Sequence, residues 1–177
     1  MMKYRGFVLL VAALLGVTPR ILTAGDEVTS IESLGHVGVA VSDLQPALHF
    51  YVDQLGFKEA FRLKRPDGTP VLVYLRVGGG NSFVELFPGT KAPGSAPLPQ
   101  SYHLGLLVKD LQATLRTLEA RGYPLPADAF KQAAKLQIDN TYLYFIKDPD
   151  GNRIELSQMT PDSLELKSAA EVTAGKS

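Results

Sequence analysis

Cysteine is absent from the sequence. That excludes disulfides and thiolate metal centres together, so any transition-metal site has to be built from histidine and carboxylates. Histidine is itself scarce: His36, His49 and His103 are all the chain has. Charge of one sign is missing as well. The 18 basic and 18 acidic residues give a formal net charge of zero, and no basic stripe with interleaved aromatics occurs, so nucleic acid is not expected as a partner. A long hydrophobic run is also lacking. The apolar run from Gly6 to Val17 is well short of the ~20 residues that cross a bilayer.

What the chain does have is a 45% apolar composition over 177 residues, enough for one domain or two small halves sharing a core. Lys3 and Arg5 precede the first apolar run, and Thr23-Ala24-Gly25 follows it. This is the layout of a secretory signal peptide over residues 1–24. An uncleaved amino-terminal membrane anchor is the alternative. Cleavage would leave 15 basic and 18 acidic residues, a formal charge of −3. The expected mature protein is exported to the periplasm or secreted, without stable membrane insertion.

The remainder repeats itself. "HVGVAVSDLQPAL" from His36 recurs as "HLGLLVKDLQATL" from His103, an offset of 67 residues. Self-similarity at this scale marks a duplicated structural unit. In each copy an alternating strand leads to an aspartate, Asp43 or Asp110, suited to cap a helix. Leu44, Leu48, Val52 and Leu55 form one apolar stripe, and Leu111, Leu115 and Leu118 the other. Gly56 and Gly122 fit the helix ends. Strand signals follow: "KEAFRLK", "VLVYLRV" and "NSFVELF" in the first half; a stretch within Leu125 to Ile138, "NTYLYFIK" and "NRIELS" in the second. Each half thus reads β-α-β-β-β, an α+β fold of curled mixed sheets around a cleft. The expected boundaries are 31–88 and 102–158 for the units, within a domain over 31–158. A Pro/Gly-rich linker covers 88–101, and a mobile tail over 159–177 carries a weak helix at Ser163 to Ala170.

Glu155 closes the second unit as Glu85 closes the first, each one residue before a leucine and on the face opposite its apolar neighbours. His36 and His103 open the units beside the small residues Gly38 and Gly105. A curled sheet brings first and last strands to one cleft, where two histidines and two glutamates can converge. A calcium loop at "DPDGNRIELSQM" is excluded, because Arg153 stands where glycine is needed and Met159 where the bidentate glutamate is needed. His49 reads as a solvated helix position. Tyr74, Phe83, Tyr142 and Tyr144 have two readings, as cleft lining or as core, and strand aromatics are more often core.

"HVGVAVSDLQPALHFYVDQLGF", "FVELF", "HLGLLVKDLQATLRTLEARGY" and "KDPDGNRIELS" resemble the vicinal oxygen chelate superfamily, the glyoxalase, bleomycin resistance and extradiol dioxygenase group. The resemblance implies metal ligands on the first and last strands of the units: His36, Glu85, His103 and Glu155. It implies one divalent ion (Ni, Zn, Mn or Fe), a small-molecule substrate, and Glu155 as the carboxylate that moves a proton, with Glu85 second. Imidazole with carboxylate suits such an ion, which would stabilise an enediolate. Many relatives complete the site across a homodimer. A full His/Glu/His/Glu set is most similar to glyoxalase I, and so to a metal-dependent lyase or isomerase. Glyoxalase I, however, carries an arginine where this chain has Ala40 and an asparagine where it has Gly89; the arginine contacts glutathione. The substrate expected is therefore not a glutathione adduct. A non-catalytic periplasmic binding or resistance protein, or an Fe/Mn dioxygenase-type enzyme, are the alternatives.

Overall fold

The structure is a computed structural model that describes residues 33–91, 99, 101–135 and 138–173. The proposed signal peptide and most of the Pro/Gly-rich linker lie outside these residues. Strand β1 (His36–Val41) leads into helix α1 (Leu44–Leu48), which widens into a π-helical turn over His49–Gln54. Strands β2 (Lys58–Lys64), β3 (Pro70–Arg76) and β4 (Phe83–Pro88) complete the first unit. Its sheet has the order β1-β4-β3-β2, with β1 parallel to β4 and the other pairs antiparallel.

The second unit runs β5 (Leu104–Leu107), α2 (Leu111–Ala120), α3 (Ala129–Ala133), β6 (Thr141–Lys147) and β7 (Arg153–Met159). Its sheet has the order β5-β7-β6, again with the first and last strands parallel. Here the structure corrects the β-α-β-β-β reading. The described part of Leu125 to Ile138 holds no strand; it holds α3 and the start of a short 3-10 turn over Ile138–Asn140. The residues explain why: "AFKQA" lacks β-branched side chains, and Ala129 and Ala133, four apart, are both buried.

The duplicated capping signals act as the sequence predicts. Asp43 accepts from the Gln45 amide at 3.0 Å and Asp110 from the Ala113 amide at 2.8 Å. Gly56 and Gly122 take φ of +81° and +83° just past the helices, where a side chain would be strained. Leu111, Leu115 and Leu118 are all buried. In the first helix the stripe shifts. Leu44 is buried, but Ala47, Phe50, Tyr51 and Gln54 join it, and Leu48, Val52 and Leu55 are only half-buried. The buried set keeps ordinary helical spacing (Leu44, Ala47, Tyr51, Gln54) and already includes Ala47 ahead of the π-turn, in which the Leu55 amide donates back five residues to Phe50.

Both units contribute to one apolar core, which takes Val39, Val41, Val73, Leu75, Val84 and Leu86 from the first sheet and Ile154 and Leu156 from the second. Each fully buried aliphatic chain is worth ~1.5–3 kcal/mol. Arg121 Nη1 donates to the Gln54 carbonyl at 3.0 Å. The β6-β7 turn is tied to the first unit as well. Tyr51 Oη donates to Asp148 at 3.1 Å, the Ser42 amide to Asp150 at 3.0 Å, and Asn152 Nδ2 to the Ala40 carbonyl at 3.0 Å. The segment expected to carry a weak terminal helix forms α4 (Leu164–Thr173), whose first amides, of Leu164 and Glu165, donate to Asp139.

Candidate functional site

Alternation along the strands gives each sheet a second face, turned away from the core. On the first sheet it carries His36, Gly38 and Ala40 from β1, Phe83, Glu85 and Phe87 from β4, and Tyr74 and Arg76 from β3. The parallel register sets Gly38 opposite Glu85, so His36, opposite Phe83, stands two residues along on the same face as the glutamate. The imidazole Nε2 lies 3.3 Å from Glu85 Oε2.

The second sheet repeats this arrangement. Gly105 stands opposite Glu155, and His103, just before β5, places Nε2 3.2 Å from Glu155 Oε2. All four candidate residues therefore form pairs: His36 with Glu85, and His103 with Glu155. The two pairs do not merge within the chain. Among the described residues no group of three or more His, Cys, Asp or Glu side chains could hold a metal ion. His49 is as the sequence reading has it, an exposed helix residue, hydrogen-bonded to Asp53 at 2.9 Å.

Each pair is backed by an aromatic ring that the sequence reading did not select. Tyr74 stands across from Glu85, and Phe145 across from Glu155. The histidines meet them edge-on, His36 to Tyr74 at 5.5 Å and His103 to Phe145 at 5.6 Å between ring centroids. Tyr74 and Phe83 thus belong to the site face, whereas Tyr142 and Tyr144 alternate onto the core side as expected. Parity within "VLVYLRV" held the signal. Val73 and Leu75 are buried, so Tyr74 and Arg76 must point the other way.

The two glutamates are held differently. Glu85 is buried, with Tyr74 across from it on the neighbouring strand. Loss of water, and then that carboxylate, hold the Tyr74 phenol above its ordinary range. Glu155 is more open and takes its hydrogen bond from Ser157 Oγ. Space also differs. A Cβ on Gly38 would meet the Phe87 ring at 3.1 Å, whereas one on Gly105 would meet nothing within 4 Å. Beside His103, a cavity of about 280 Å³ opens between the free edges of β1 and β5, lined by Ala40, Tyr51, Tyr102 and Arg153 among others. A larger groove of about 510 Å³ against α2 contains no histidine or glutamate, and neither pair lies in it.

Residues 33–156 match the family model described as the glyoxalase/bleomycin resistance protein/dioxygenase superfamily. A probable lactoylglutathione lyase of Synechocystis sp. is 27% identical over 126 residues, 70% of this chain and 92% of that protein. A lactoylglutathione lyase of Haemophilus influenzae is 26% identical over 122 residues, 68% of this chain and 87% of that protein. Among solved structures, TnmS3, an antibiotic binding protein from Streptomyces sp., is similar with a TM-score of 0.56 and 25% identity. The match covers 74% of this chain and 98% of that one.

Proposed function

The chain belongs to the glyoxalase/bleomycin resistance protein/dioxygenase superfamily, and from that premise we propose that it is a divalent-metal-dependent lyase or isomerase that moves a proton next to a carbonyl. One observation carries the reading: the same His-Glu pair occurs at the same register position of both sheets, with Nε2-Oε2 separations of 3.3 and 3.2 Å. Two imidazoles and two carboxylates are a donor set that fits Ni, Zn, Mn or Fe. The pairs do not converge within one chain, so His36 and Glu85 of one copy meet His103 and Glu155 of a second across a two-fold axis. An ion bound there would act as a Lewis acid for charge developing on the substrate oxygens.

The chain's own residues divide the remaining work. Glu85, buried beneath Tyr74, is a fixed ligand. Glu155, more exposed and held by Ser157, takes the proton from carbon and returns it, work typically worth about 10²- to 10⁴-fold. Ala40 and Gly89 supply no side chain to a glutathione carboxylate or amide, which supports a substrate other than a glutathione adduct. The proposed location is outside the cytosol, following the amino-terminal signal pattern.

The likeness to an antibiotic binding protein supports a second reading, a non-catalytic binding protein. Deuterium wash-in separates the two. A panel of 2-oxoaldehydes and α-hydroxyketones, incubated in heavy water with metal-loaded protein and followed by proton NMR, should exchange at the carbon beside the carbonyl. Glu155→Gln should slow that exchange at least ~100-fold. Tight ligand binding that survives chelation, with no exchange on any panel member, would sink the enzyme reading.

A further inference from the structure

The site face of the first sheet carries more aromatic surface than the His36-Glu85 pair requires. Continuing the register outward from Glu85, Tyr74 stands on β3 and Phe61 beside it on β2. The Phe61 and Tyr74 rings stack with centroids 4.5 Å apart and planes 19° from parallel. Phe61 nevertheless remains 48% exposed, and Leu63, two residues along the same strand, 52%. An ordered stack with an open face is a platform for a further ring, because offset stacking adds attraction beyond the area buried. Positive charge borders it. The Arg76 guanidinium lies 4.7 Å from the Phe83 centroid, fixed by donation to the Gly80 carbonyl, and Lys58 stands across from Arg76 in register.

We infer that Phe61, Leu63 and Tyr74 form a shelf that binds a planar aryl group of the substrate, with Arg76 receiving an anionic oxygen attached to it. The inference rests on the proposed chemistry at His36 and Glu85 and names the class of substrate that site takes. Two strand spacings separate β4 from β2, so the ring lies ~10 Å from the reacting oxygens. The substrate is then an aryl acid with its reacting head at the opposite end. A second copy of the chain is the weaker occupant. Two exposed apolar residues on the strand that carries Lys58 opposite Arg76 fall far short of the ~800 Å² per partner of a standard interface.

Binding of 2-naphthoate and of its saturated counterpart, decahydro-2-naphthoate, to the full-length protein tests this by calorimetry, with and without EDTA. The two probes share charge and carbon skeleton, but the saturated one is puckered and has no π-face. The aromatic acid should bind ~2- to 10-fold tighter, with or without chelator. Phe61→Leu, an exposed apolar replacement, should bring the ratio to about one, and Arg76→Gln should weaken both probes. Acetohydroxamate, which has no ring, separately reports chelation at the metal-loaded pairs. Its failure to bind, with the naphthoate preference intact, would remove the metal reading and leave the shelf standing. A ratio near one in the parent protein, or one unchanged by Phe61→Leu, would overturn the shelf. So would a Phe61→Leu variant that dissociates a dimer in sedimentation while the ratio stays fixed.

Discussion

Replacing Tyr51 by Phe should cost about 1.5 kcal/mol of unfolding free energy at neutral pH. The Tyr51 ring is fully buried, and its hydroxyl donates to Asp148 Oδ2 at 3.1 Å. Phe fills the same ring volume, so the cavity term is small and the loss is that of one hydrogen bond to a charged group, ~1.5–3 kcal/mol. The lower end applies because Asp148 keeps three other donors, the amides of Asp150 and Asn152 and Asn152 Nδ2. The pH dependence gives a second handle. Burial pushes the Asp148 carboxyl above its ordinary value, against the pull of its hydrogen bonds. A raised folded-state value means that Asp148 favours folding below the usual carboxylate range and that this contribution is lost as pH rises through the raised value. The Tyr51 hydroxyl supports the ionised form, so its removal should cost most above that value and less as Asp148 takes up a proton. Urea unfolding of both proteins across acid to neutral pH measures this. At ~2–4 °C per kcal/mol, melting should fall by ~3–6 °C at neutral pH. An unchanged midpoint at neutral pH, or a deficit that grows on acidification, would refute the reasoning.

Tyr74→Phe should weaken metal binding ~10- to 100-fold, as loss of a partner that orients a ligand does. Competition with a fluorescent chelator reads it, and equal affinity would remove Tyr74 from the support of Glu85. Gly122→Ala should lose ~1–2 kcal/mol from its left-handed backbone alone. Gly56→Ala should lose more, because its Cβ meets Arg121 Nη1 at 2.9 Å and the guanidinium must give up its hydrogen bond to the Gln54 carbonyl to move aside. Denaturant midpoints that rank the pair the other way would contradict the packing described at the unit junction.

Much of this molecule is legible in its sequence because it is written twice. That His36, Glu85, His103 and Glu155 lie on the site faces follows from strand parity and the repeat; that they meet as two separate pairs comes from the structure alone. The repeat also misled. It suggested a strand within Leu125 to Ile138, where the alanines at 129 and 133 make a helical face instead. The first apolar stripe failed for a different reason. Ala47, Phe50, Tyr51 and Gln54 make a second helical face beside the leucines, and this face, not the leucine stripe, is turned to the core. Tyr74 was hidden by a general preference. Strand aromatics are usually core, and it takes the register to show Tyr74 across from Glu85 and Phe61 one strand further out.

Metal content by mass spectrometry tests the central claim most directly. It would be measured on the protein purified without added metal, on His36→Ala and Glu155→Gln, and on those two variants co-expressed. The shared site predicts about one divalent ion per chain in the parent protein and depletion in each variant. In the mixture about a quarter of the sites should be restored, because each heterodimer rebuilds one intact site of two. A parent protein that neither carries metal nor gains thermal stability from added Ni, Zn, Mn or Fe would contradict the account. A fully loaded parent whose co-expressed variants stay empty would contradict the two-chain site.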